Sequence, residues 1–231
     1  MAFESWRCDW VTEKCQIATA LARGEAGGTY SEAAILVCAT MSALAAEVWP
    51  GRNIDRARFI ELLVRIGPTP DLPMVISVPL FIRHVELTSS KSCAKLLSDK
   101  LLPISATRVI TGPDVDKTEG EVLSICSGFT SKDIRKFSYA CLLYEEVRSA
   151  YAHEYRPGDK ADSWPMTRSE GQSVSYVNRL LTPGIPETGR LIHFHIDWLA
   201  KLAIDIARNI DIDCATLPQQ APATWWIDGA V

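Results

Sequence analysis

Apolar residues recur at three- and four-residue spacing along most of the chain, the signature of helices that bury one stripe. Val11, Cys15, Ala18 and Ala22 mark a first helix from about Asp9 to Arg23, with Gly24 as its stop. Ser31 then opens a run to about Trp49 that is apolar nearly all round, as a central buried helix requires. Phe59, Leu62, Leu63 and Ile66 lie on one face of a helix over 55–66. The breakers in 67–73 predict a loop, 75–87 a short helix despite Pro79, 91–102 an amphipathic helix, and 103–118 a loop. The longest element runs from Ser131 to about Arg156, where Pro157 stops it. Residues 157–172 are polar and irregular, whereas Ser173 to Asn178 alternates like a strand that Leu191 to His195 can meet as a hairpin arm. A last helix is expected from Asp197 to Asn209. The pattern therefore predicts a mainly all-α chain with a small β-hairpin near 173–195. It reads as one helical domain over 1–211, extended beyond about 157, and a tail over 212–231 without a readable pattern.

Composition narrows the function classes. The 231 residues are 47% hydrophobic and 23% charged, the balance of a packed globular chain. The formal charge of −4, from 24 basic and 28 acidic residues, argues against a protein that coats nucleic acid non-specifically, though not against one local basic site. The seven cysteines are odd in number and have no C-x-x-C spacing, so reduced, buried thiols are expected. The N-terminus carries Glu4, Arg7 and Asp9 without an apolar stretch between them, and the most apolar run, Ala33 to Ala46, is shorter than the roughly 18 residues of a membrane span. A cytoplasmic protein without membrane contact is expected.

Phosphate loops, dinucleotide fingerprints, nucleophile elbows and H-E-x-x-H are all absent from the sequence. His193 and His195 form an H-x-H pair, but Asp197 is the only third ligand beside them. Side chains of a half-buried strand or of a helix start explain the pair better than a metal site does. No cofactor and no metal are expected.

What remains is the end of the long helix, Arg148-Ser-Ala-Tyr-Ala-His153-Glu-Tyr155. This resembles the R-x4-6-H motif of the HEPN superfamily in its R-x4-H-x-Y form, at the end of a long amphipathic helix before a proline. Arg190 to His195 repeats the Arg–His spacing without the Tyr and is treated as a coincidence. The resemblance covers about residues 131–156. It implies a helical bundle that acts as a metal-independent endoribonuclease of toxin–antitoxin or phage-defence type. It also implies a homodimer whose two motifs converge on one phosphate of an RNA substrate, and in some members a partner nucleotidyltransferase antitoxin that attaches AMP to the motif tyrosine. On this chain the catalytic pair is Arg148 and His153, supported by Ser149, Glu154 and Tyr155, with Tyr155 the AMP acceptor. Ser149 stands where the family often has Asn, Asp or His. It can hydrogen-bond but is neither acid nor base near neutral pH. That departure favours the alternative, a non-catalytic HEPN-like module that binds a nucleotide or a protein partner.

Helix geometry places these residues. Arg148 and His153 are about 140° apart around an α-helix and about 7.5 Å apart along it, so one helix splays them. Arg148, Tyr151 and Tyr155 share a face; Glu146, Ser149 and His153 form the next one. Arginine presents a permanent cation matched to phosphate oxygens, and histidine titrates near neutral pH and serves as acid or base. The plainer reading pairs Arg148 with Glu145 or Glu154 on a solvated face and leaves His153 as a helix-end residue.

Overall fold

The computed structural model describes residues 6–68, 71–88, 91–101, 109–126, 128–163, 172–178, 190–213 and 221–229. Helices dominate. α1 (Trp6–Ala22), α2 (Tyr30–Val48) and α12 (Ile196–Asp213) pack side by side, and α2 lies at the centre with Ala33, Ala34, Val37, Met41, Leu44 and Ala45 all buried. At 19 residues α2 is long and apolar enough to cross a membrane. Here it is the core helix that its uninterrupted apolar pattern predicts. Its cap is Thr29, two residues before Ser31, because Thr29 and Glu32 form a reciprocal capping box.

α3 (Asp55–Glu61) widens into a π turn over Leu62–Ile66 that packs on α12. The single turn α4 (Asp71–Met74) occupies part of the expected loop. α5 (Val78–Thr88) carries Pro79 in its first turn, where a missing N–H costs nothing. α6 (Lys91–Leu101) follows, and the stretch expected as loop holds β1 (Val109–Thr111) and the short α7 (Gly112–Val115). α8 (Glu119–Ile125) and α9 (Ser131–Arg135) each start on a capping box, Thr118 with Glu121 and Thr130 with Asp133.

The hairpin is present as β2 (Val174–Asn178) and β3 (Arg190–Phe194), antiparallel with Tyr176 opposite Ile192. β1 joins it to make a three-stranded sheet in the order β1-β2-β3. A three-residue strand has too little alternation to be legible, so its pairing with β2 decides it. Both faces of the sheet are buried: Val174, Tyr176 and Phe194 on one, Ser175 and His193 on the other.

α12 runs through the domain boundary expected at 211. Residues 221–229 then fold back onto the body. Arg135 donates to the carbonyls of Trp226 (2.7 Å) and Gly229 (3.0 Å) and stacks on the Trp226 ring, while Glu61 accepts from Trp226 N–H at 2.7 Å.

Candidate functional site

The expected helix over 131–156 is two helices. Between α9 and the motif the backbone at 136–138 leaves the helix because extended residues 75–77 bond to it: Ser77 N–H donates to Phe137 C=O and Tyr139 N–H to Val75 C=O. Ser138 then caps a new start, its hydroxyl accepting from Cys141 N–H. From there α10 (Tyr139–Leu142), a π turn over Leu143–Ser149 and α11 (Ala150–Glu154) form one continuous motif helix. π turns inside α-helices often mark functional segments. The helix ends at Tyr155, whose φ of 55° puts a tyrosine in the left-handed cap that glycine usually fills.

The face shared by Arg148, Tyr151 and Tyr155 lies against α2. Arg148 Nε donates to Ser42 Oγ at 3.2 Å, and its guanidinium sits 5.3 Å over the Tyr144 ring. Tyr151 is buried beside Ser31 and Cys38, and Tyr155 Oη donates to Glu32. Burial pushes the Cys38 thiol up to about 12, and the nearby Arg148 charge only trims that rise. The ion pairs of the plainer reading do not form: Glu145 is held by Arg56 at 2.8 Å, and Glu154 by Arg156 at 2.7 Å. Among the described residues, half-buried Arg148 has no carboxylate partner.

His153 is exposed and makes no hydrogen bond or ion pair among the described residues, and the Ser149 hydroxyl caps nothing. Thus Arg148 faces α2 while His153 faces outward, the splay that the helical spacing requires. Glu146, on the neighbouring face, is buried under a strap that follows the motif. Gly158 N–H donates to Glu146 C=O at 2.8 Å, and Lys160 pairs with the Glu146 carboxylate at 2.7 Å. A Cβ on Gly158 would stand 2.1 Å from Glu146 Oε2 and 3.1 Å from its Cα, so only glycine lets the strap lie this close. The same strap bonds to β3 through Ile192, tying the motif helix to the sheet. Residues 157–163 are irregular, as expected, and are held because both neighbours take their backbone groups; 164–171 lie outside the described residues.

The second Arg–His copy is structural. His195 is buried and bonds Ser175 Oγ at 2.8 Å, and His193 packs at 4.8 Å from the Tyr30 ring with Nδ1 3.7 Å from Asp162. Burial lowers both imidazoles to about 4, which keeps them neutral. His193 lies on β3, buried where the sequence suggested a half-buried strand, and His195 stands at the start of α12, as the helix-start reading expected. Among the described residues Tyr151 Oη, beside Ser31 and Ser163, and His193 Nδ1, beside Asp162, make no hydrogen bond of good geometry. Among the described residues no three His, Cys, Asp or Glu side chains converge as a metal site would need. A hollow of about 350 Å³ lies between α1 and α12, lined by Cys15, Thr19, Arg23 and Ile204, and none of its lining residues belongs to the motif.

Sequence reasoning missed Ser42, Glu32 and Tyr144 as neighbours of the motif. Tyr144, four residues before Arg148, was accessible from helical spacing; the two α2 residues were not. Comparison with known proteins gives no match to a family model, a curated protein or a solved structure.

Proposed function

We propose that this protein is a metal-independent endoribonuclease of HEPN type, acting in a toxin–antitoxin or phage-defence setting. One observation carries the reading: half-buried Arg148 is held by Ser42 and Tyr144 with no carboxylate among the described residues to neutralise it. A fixed, uncompensated guanidinium suits a phosphate whose charge grows as the 2′-oxygen attacks. His153, exposed on the adjoining face, takes the 2′-hydroxyl proton or protonates the leaving 5′-oxygen. The two groups splay on one helix, so the proposal includes a homodimer in which two motifs share one RNA phosphate.

RNA incubated with the purified protein in excess EDTA is expected to be cleaved to 2′,3′-cyclic phosphate ends, with the active species sedimenting as a dimer. Loss of activity to chelator with rescue by Mg²⁺, or full activity from a monomer, would overturn the corresponding part.

Ser149 and His153, whose side chains make no hydrogen bond among the described residues, favour a second reading, in which Arg148 holds a nucleotide or a protein partner without chemistry. Phosphate-dependent binding with no cleavage under any condition would select it. The resemblance also makes Tyr155 an AMP acceptor for a partner nucleotidyltransferase. Its side chain is 59% exposed, which suits modification. Intact-mass spectra after co-expression with neighbouring genes should show an AMP-sized increment mapping to Tyr155; unmodified protein beside a functional antitoxin would eliminate that role.

A further inference from the structure

Two side chains tie the motif helix to α2 on either side of His153. At one end Arg148 bonds Ser42 at 3.2 Å; at the other Tyr155 Oη donates to Glu32. Glu32 already has a task. Its Oε2 accepts from Thr29 N–H at 2.7 Å and from the Thr29 hydroxyl, closing the first turn of α2. Its Oε1 is left for Tyr155, so one carboxylate caps α2 and holds the last residue of the motif helix. These donors, the Thr29 hydroxyl first, keep the Glu32 carboxyl down near 2, so it is an anion throughout the neutral range. Tyr155 needs an external hold. It sits in the left-handed region at φ 55°, its side chain is exposed, and the hydrogen bond from its N–H to Tyr151 C=O is its only backbone tie to the helix. His153 lies two residues before this latch and makes no hydrogen bond or ion pair among the described residues.

We propose that Glu32 is a positioning residue of the site: through Tyr155 it fixes the final turn of the motif helix and so the placement of His153. The inference rests on the ribonuclease reading for its effect on catalysis, but not for the latch itself. No motif search would find Glu32, 116 positions before Arg148 (148 − 32) and on another helix.

The test uses the full chain as wild type, Tyr155→Phe and Glu32→Ala. Tyr155→Phe removes only the latch. Hydrogen exchange over 151–156 is expected to rise at least threefold, while the first turn of α2 exchanges as in the wild type. Glu32→Ala is expected to speed both segments. It should also shift one phenol titration downward, the one missing from Tyr155→Phe, because the anion beside that hydroxyl holds its pKa up. RNA cleavage is expected to fall severalfold in both variants. Unchanged exchange over 151–156 in Tyr155→Phe, or a Tyr155 titration unmoved by Glu32→Ala, would overturn the latch. Undiminished cleavage in both variants would overturn its positioning role. A wild type that cleaves no RNA defeats the ribonuclease reading instead, and exchange and titration still decide the latch.

Discussion

Replacing His153 by Ala is expected to lower RNA cleavage by about 10²–10⁴-fold, the usual contribution of a positioned acid or base. Replacing Arg148 by Ala should cost about 10²–10³-fold, as loss of a fixed charge donor at a growing anion does. Neither change should unfold the protein. His153 is exposed and has no polar partner among the described residues, and Arg148 gives up one hydrogen bond to Ser42 and its stacking on Tyr144. Arg148→Lys should recover little, since an ammonium lacks the planar fork. The control histidine must be exposed. His195 is unsuitable because it is buried against Ser175, whereas His84 is exposed and its ring rests on Phe137. His84→Ala should cleave as the wild type does. Cleavage that survives His153→Ala, measured on a labelled oligoribonucleotide with circular dichroism to check folding, would remove His153 from the mechanism.

Stability should rise with pH between about 4 and 6.5, and Asp116→Asn should steepen that rise. Two buried centres titrate in opposite senses. His193 and His195 fall from an ordinary 6.5 to about 4, chiefly through burial, so their contribution is complete above 6.5 and is lost as pH falls through about 4. Around them stand Tyr30 and Asp162 beside His193, and Ser175 and Asp197 beside His195. Asp116 behaves in reverse. Burial raises it from 3.8 to about 7, against hydrogen bonds from Tyr139, from Tyr176 at 2.6 Å and from Val78 N–H at 3.0 Å, with Lys117 nearby. Its contribution is complete below 3.8 and is lost as pH rises towards 7. Two histidines outweigh one carboxylate, so the net slope is positive. Removing the carboxylate should add about 1.4 kcal/mol per pH unit to the slope of urea-unfolding free energy between pH 4 and 6.5. A slope unchanged by Asp116→Asn would mean that Asp116 titrates alike in folded and unfolded chains.

Local patterns were legible wherever one residue's neighbours in sequence were also its neighbours in space. Helical spacing located α1, α2, α5, α6 and α12 to within a few residues, and alternation located β2 and β3. The same spacing placed Arg148, Tyr151 and Tyr155 on one face, and all three do meet α2, although a π turn ends beside Arg148. The short β1, the break at 136–138 and the strap over Glu146 were not legible. In each, the backbone is held by a partner far along the chain, and no local propensity encodes that partner.

The sequence by itself determined a mainly helical chain, a central apolar helix and the order of Arg148, His153 and Tyr155 along the motif, because periodicity and residue chemistry act over a few positions. Only the tertiary structure decided that Glu145 is taken by Arg56 on another helix, that Arg148 keeps its charge uncompensated among the described residues, and that His195 is buried while His153 is exposed. Charge pairing and burial depend on which distant helix packs alongside. That choice is made by the whole core at once and cannot be read from any one segment.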